Sequence, residues 1–299
     1  MTQPTTGGNS AQTDRFVHQR LPGAVQMPVL RFELPELQFP AQLNLAAELL
    51  DKAADKGWSD RPMLRSTHRT LSYAQARQEV DRIAQVLTQD LGLVPGNRVL
   101  LRGGNSIGMA LAWLAVVKAG LISVATMPLL RAKELGDIID KAQPVLALCD
   151  GQLLDELQQA QAQHPELARI VPFNVPGQPD GLEALAAGHS GQFEACPTAG
   201  EDIALLAFTS GTTGRPKAAV HTHRDVLAAC ETWPRHVLQA TPLDIVMGSP
   251  PLAFTFGLGG MLVFPMWAGA SVYYPDIAYT PQAMAKLIHD VGATICYTA

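Results

Sequence analysis

Residues 203–220 read Ile203-Ala204-Leu205-Leu206-Ala207-Phe208-Thr209-Ser210-Gly211-Thr212-Thr213-Gly214-Arg215-Pro216-Lys217-Ala218-Ala219-Val220. An apolar run leads into a hydroxyl- and glycine-rich loop, a lysine closes the loop, and a second apolar run follows. Small residues let backbone N–H groups converge on an anion, the hydroxyls of Thr209, Ser210, Thr212 and Thr213 add donors, and a lysine supplies a compact positive charge. This is the pattern of a phosphate-gripping loop between two strands. It is not a Walker A loop, because Pro216 rather than glycine precedes Lys217. A Ser/Thr/Gly segment between apolar runs also describes an ordinary solvated loop, and a lone lysine is most often a surface residue. The ordered run from Phe208 to Lys217 favours the phosphate.

Outward from the loop the pattern alternates between strand and helix. Ser72-Tyr73-Ala74-Gln75 has the form of a capping box ahead of the helically spaced Ala76, Val80, Ile83 and Leu87. Asn44 predicts an N-cap for a helix over 45–55. Strands are expected at 98–102, 121–126, 145–149 and 170–173, with helices opening at Ser106, near Ala132 and near Gln152. Beyond Lys217 a helix over about 224–238, strands near 244–248 and 270–274, a helix over 281–291 and a last strand at 293–297 are expected. Such alternation predicts an α/β fold with a parallel, helix-covered sheet. The Pro-, Gly- and Ala-rich stretch 174–200, with a short helix over 182–187, reads as a seam. The expected division is a disordered tail at 1–13, a first α/β subdomain at 14–173, a connecting region at 174–200 and a second α/β subdomain at 201–299.

Composition narrows the class. The 299 residues are 47% hydrophobic and 16% charged with a formal net charge of −5, which suits a globular protein and gives no general pull toward nucleic acid or anionic lipid. Cys149, Cys196, Cys230 and Cys296 lack metal-ligand spacing and read as reduced thiols of a cytoplasmic protein, and the polar N-terminus has no apolar signal region. Residues 245–275 carry no charge, yet their density of Gly and Pro rules out one membrane-spanning helix and predicts buried strands and turns. No membrane partner is expected.

Two further segments bear on a site. Pro250-Pro251-Leu252-Ala253-Phe254-Thr255-Phe256-Gly257-Leu258-Gly259-Gly260 sets aromatic rings beside glycines, which let a ligand approach the backbone closely. On that pattern alone Phe254 and Phe256 read first as core aromatics. His221 and His223 follow the loop on what should be a strand leading into a helix, and carry no assigned chemistry; His223 is placed to cap that helix or to sit near the site at the loop.

Residues 208–217 resemble the nucleotide-binding signature of the adenylate-forming (AMP-binding) superfamily, with Ala218 where that signature often has glycine. Thr70-Leu71-Ser72-Tyr73 with Gln75, and Val117-Lys118-Ala119-Gly120 followed by Met127-Pro128-Leu129, resemble two of its core elements. On physical grounds these read as a capped helix start and a glycine-terminated helix end, hence as structural. The segment 250–260 resembles the superfamily's acyl-pocket element, with Phe256 as its aromatic residue. The lack of an acid in Ala253–Phe256 disfavours amino-acid substrates. Arg20-Leu21-Pro22, Leu34-Pro35-Glu36-Leu37, residues 44–50, residues 125–131 and Phe256–Gly259 resemble the benzoate and 2-aminobenzoate CoA ligases, the latter first.

The resemblance implies the layered α-β-α subdomains of the large N-terminal domain, incomplete at the C-terminus. It implies ATP with Mg2+ held by Thr209, Ser210, Gly211, Thr212, Thr213, Gly214 and Lys217, an acyl pocket lined by Phe254, Phe256 and Gly257, and coenzyme A as co-substrate. An aromatic carboxylic acid is expected to become an acyl-adenylate and then an acyl-CoA. The superfamily's magnesium-binding glutamate, ribose-binding aspartate and C-terminal lysine find no counterpart before Ala299, so no catalytic residue is assigned and a fragment with little ligase activity of its own is expected. A fatty-acid ligase and a noncatalytic nucleotide- or acyl-binding module are the alternatives.

Overall fold

The structure, a computed structural model, describes residues 9–209, 216–277 and 279–298. The Asn44 side chain accepts from the Ala46 and Ala47 N–H groups and starts α1 (Leu45–Leu49), which ends in a 3-10 turn rather than running on to residue 55. β1 (Pro62–Arg65) and β2 (Thr70–Ser72) pair antiparallel and lead into α2 (Tyr73–Gln85), where Ser72 and Gln75 close the capping box. Then alternate β3 (Arg98–Arg102), α3 (Ile107–Lys118), β4 (Ile122–Thr126), α4 (Ala132–Ala142), β5 (Leu146–Asp150), α5 (Leu154–Gln161), β6 (Arg169–Phe173) and the short α6 (Leu182–Ala187). Next come β7 (Ile203–Thr209), β8 (Lys217–Thr222), α7 (His223–Thr232), β9 (Ile245–Gly248), α8 (Thr255–Leu258), α9 (Phe264–Ala268), β10 (Ser271–Tyr273), α10 (Pro281–Val291) and β11 (Ile295–Tyr297).

Two sheets result, one in the order β6-β5-β3-β4-β7-β8 and the other β11-β9-β10-β1-β2. Each is parallel except for one edge strand, β8 in the first and β2 in the second. Neither sheet respects the division expected at 174–200: β1 and β2 join strands from beyond residue 244, and β7 and β8 complete the sheet of β3–β6. Alternation along a chain gives the order of elements, whereas pairing depends on long-range burial that the pattern does not encode.

Side-chain alternation explains the layers. In β3, Val99 and Leu101 enter a core shared with α2, α3 and the second sheet, while Leu100 joins α4 and α5 on the opposite face. Leu146 and Leu148 of β5 face the shared core, and Ala147 and Cys149 face α4 and α5. Because α3 is covered on all sides, it is apolar all round rather than amphipathic. It ends at Gly120 (φ +73°), whose left-handed conformation lets the chain turn into β4. The one charge on α3, Lys118, is buried and donates to Asp51 (2.6 Å) and Asp81 (2.5 Å), tying α3 to α2 and to the turn after α1.

Two further expectations change. Residues 255–268 are helical rather than strands and turns: Pro265 sits in the first turn of α9, where no N–H donor is needed, and Gly259 and Gly260 lie against the Phe264 and Tyr297 rings. Residues 10–12, placed in a disordered tail, are bound, since the buried Gln12 side chain donates to the Ile203 carbonyl (2.7 Å) and Ala11 N–H donates to Asp202 (2.9 Å). Residues 1–8 of that tail lie outside the described residues. Among the described residues no helix is long and apolar enough to cross a membrane, and the four cysteines are unpaired.

His223 does not cap α7; Thr222 does, in a capping box with Asp225. His223 is instead fully buried, its Nδ1 accepting from the Leu45 N–H (3.1 Å) and its Nε2 without a partner. Burial pushes this imidazole down to about 4, with the Asp202 carboxylate opposing more weakly. The unfolded chain therefore binds the extra proton first, and stability falls as pH drops from about 6.5 toward about 4, by up to about 3 kcal/mol. His223→Asn keeps an acceptor that does not titrate. Denaturant titrations should show a flatter stability profile for this variant across that pH window; parallel profiles would contradict the buried neutral histidine.

Candidate functional site

β7 is held on both sides, parallel to β4 through Ser123 and Leu205 and antiparallel to β8 over most of its length. The ladder ends with Thr209 opposite Lys217. Both are exposed, so a hydroxyl and a side chain with an ammonium head stand together where the strands leave the sheet. The intervening Ser210, Gly211, Thr212, Thr213 and Gly214, expected to contact phosphate, lie outside the described residues, as does Arg215. What is described is the frame: two paired strand ends that fix the base of the loop.

Beside this frame opens a cavity of about 500 Å³ lined by Ala125 and Thr126 at the end of β4, Met127 and Leu130 before α4, Glu134, Asp137 and Ile138 of α4, and Phe208, Thr209, Pro216 and Phe254. It sits at the C-terminal ends of parallel strands, next to the point where β3 and β4 send their connecting helices to opposite faces, the usual place for a ligand in such sheets. Most of its lining is apolar. Its two carboxylates are engaged locally: Glu134 accepts the Arg131 N–H (3.1 Å) and Asp137 accepts from Lys133 (3.4 Å). A second cavity of about 480 Å³, between α2, the N-terminus of α3 and α6, includes no residue of the loop frame.

The three residues expected at the acyl pocket separate. Phe254 is 42% exposed and lines the cavity. Phe256 is 54% exposed and meets Tyr297 edge-on at 5.9 Å between ring centres. Gly257 is buried, and a Cβ there would collide with the Pro251 carbonyl oxygen, so its glycine identity serves backbone packing. The turn before it is braced from α3's side: Asn105 donates to the Pro250 carbonyl (2.9 Å) and accepts from the Leu252 N–H (2.8 Å).

Sequence patterns missed Thr126, Leu130, Ile138 and Pro216 as lining residues, and gave Met127 a structural role only. The signal lay in the strand order, which brings the end of β4 beside the end of β7. Among the described residues Asp140, His164 and Glu166 bring their ligand atoms within 4.8 Å of one another, but none of the three lines the cavity.

Comparison with known proteins follows this geometry. The sequence profile of the family described as AMP-binding enzyme matches residues 50–299. The chain is 29% identical to a benzoate–CoA ligase of Thauera aromatica over 88% of its own length and 50% of that protein. An anthranilate CoA ligase solved with anthranoyl-AMP superposes with a TM-score of 0.82 at 26% identity, covering 88% of this chain and 51% of that one. ATP-bound MatB from Rhodopseudomonas palustris superposes at 0.74 with 27% identity, covering 85% and 49%. The chain thus spans about half the length of each.

The tight approach at Gly257 gives a direct check. Gly257→Ala should lower stability in chemical denaturation by about 1–3 kcal/mol through overpacking. Gly104→Ala, which adds a methyl into open space, should change it little. Equal effects would contradict the packing described for the 250–257 turn.

Proposed function

The chain belongs to the AMP-binding enzyme family, and from that premise we propose that it binds ATP at the Thr209–Lys217 loop and that activation of an aromatic carboxylic acid belongs to the full-length ligase, this half alone having little such activity. The carboxylate oxygen attacks the α-phosphorus, the bond from that phosphorus to the bridging oxygen breaks, and pyrophosphate leaves; the thiol of coenzyme A then displaces AMP from the acyl-adenylate. The carrying observation is the side-by-side placement of Thr209 and Lys217 at the edge of a mainly apolar cavity. A hydroxyl donor and an ammonium suit the β- and γ-phosphates, and small loop residues let backbone N–H groups join them. Magnesium would travel with the ATP, offsetting phosphate charge. Positioning and charge stabilisation are the protein's contribution to such a transfer.

The acid's ring fits the apolar side of the cavity, against Phe208 and Phe254, with Phe256 at the exposed edge toward the nucleotide. The segment Ala253–Phe256 carries no acid to pair with an α-ammonium, which supports an aryl acid over an amino acid. Similarity to a benzoate–CoA ligase and to an anthranilate CoA ligase supports benzoate or 2-aminobenzoate, the latter preferred. Unpaired cysteines support a reducing, cytoplasmic setting.

Calorimetric titration tests the reading. Lys217→Ala should weaken ATP binding roughly 10- to 100-fold, the equivalent of one charge-assisted bond, and unchanged affinity would refute the role of that lysine. With ATP present, benzoate and 2-aminobenzoate should bind more tightly than decanoate. Preference for the long-chain acid would overturn the aryl assignment.

A further inference from the structure

Arg102 ends β3 and is 1% exposed, one of the largest fully buried side chains in the protein. Among the described residues no carboxylate lies within ion-pair distance of it. Its charge is satisfied by backbone instead: Nε donates to the Leu153 carbonyl (3.2 Å), Nη1 to Met127 (3.0 Å), and Nη2 to Pro128 (3.1 Å) and Leu130 (2.9 Å). A buried cation is costly unless its donors find partners, as four of the five N–H groups do here, and an apolar side chain would fill the same space without that cost. What the guanidinium adds is a grip on three carbonyls of one short loop, 127–130.

That loop is the cavity's wall. Met127 and Leu130, whose carbonyls Arg102 holds, line the cavity, while Leu129 between them points outward and is 82% exposed. From the outer side Glu156 of α5 accepts from Arg131 Nη1 (2.7 Å) and from the Ala132 N–H (2.8 Å). The loop is therefore clamped between a buried cation and a carboxylate, and the planar fork of the cation sets where Met127 and Leu130 stand.

We propose that Arg102 is a positioning residue that fixes the acid-binding wall of the cavity through the Met127, Pro128 and Leu130 carbonyls. The inference rests on the assignment of this cavity to the organic acid. Lysine in its place keeps the charge but offers a single point of donation on a flexible stem, which does not span three carbonyls.

The test compares Arg102→Lys and Arg102→Met with the unaltered protein by calorimetry with ATP and with 2-aminobenzoate, and by amide exchange at the hydrogen-bonded Leu130 and Ala132 N–H groups. The expected result for Arg102→Lys is an acid affinity weakened at least tenfold, ATP affinity within twofold, exchange at those two amides faster by at least tenfold, and unchanged exchange in β5. Arg102→Met should follow in the same direction; if it does not fold, the lysine variant carries the test. Unchanged loop exchange overturns the proposal, as does faster exchange with unchanged acid affinity. Parallel loss of acid and ATP affinity with faster exchange throughout the sheet overturns it too, by showing only a general structural role. If the unaltered protein binds no aryl acid, the cavity assignment fails and the proposal falls with it, while the exchange data still report separately whether Arg102 holds the loop.

Discussion

The register that sets Thr209 opposite Lys217 is the constraint from which the site follows. A one-residue slip of β8 against β7 would turn every side chain of β8 to the other face and separate the two ends of the loop. Register is specified by burial: Ile203–Leu206 are buried between β4 and β8, with Leu205 on the shared core and Ile203 and Leu206 on the opposite face. The strand is also anchored at its start, where Gln12 bonds both to the carbonyl and to the N–H of Ile203. A loop of small residues needs such a rigid base, because glycine and hydroxyl residues favour many conformations in isolation.

Below the site, buried charges fasten the layers. Lys118 with Asp51 and Asp81 joins α3 to α2, and Arg98 reaches Asp14 and the carbonyls of Ala142 and Gln143, holding the N-terminal segment and the end of α4 to the start of β3. Such pairs add little net stability over apolar packing, but losing one partner strands the other, a penalty of about 3–5 kcal/mol. Their effect here is to fix relative placement. The C-terminal end of the sheet, with the loop frame and the cavity, is thereby presented on a rigid support.

Much of this was legible in the sequence wherever local chemistry decides. The capping box at Ser72 and Gln75, the Asn44 cap, the left-handed Gly120, and helices over 182–187 and 281–291 all rest on short-range signals, and the structure has them. Long-range consequences were not legible. Alternation could not say that β1 and β2 pair with β9–β11, nor that glycines at 257–260 serve helical packing against Pro251, Phe264 and Tyr297. Met127 and Leu130 became cavity residues only once β4 and β7 were neighbours. Arg102 falls at the end of the strand expected at 98–102, with nothing local to show that the fold buries it and uses its donors on a loop 25 residues further on.

The account's central claim, that the Thr209–Lys217 frame holds ATP and the adjoining cavity the aryl acid, is met most directly by a crystal structure of the protein with a nonhydrolysable ATP analogue and 2-aminobenzoate. The account predicts the β- or γ-phosphate within hydrogen-bonding distance of Thr209 or Lys217 and the ring in the cavity against Phe208 and Phe254. A ligand seated instead in the space between α2, α3 and α6, or a ring turned out of the cavity, would contradict it.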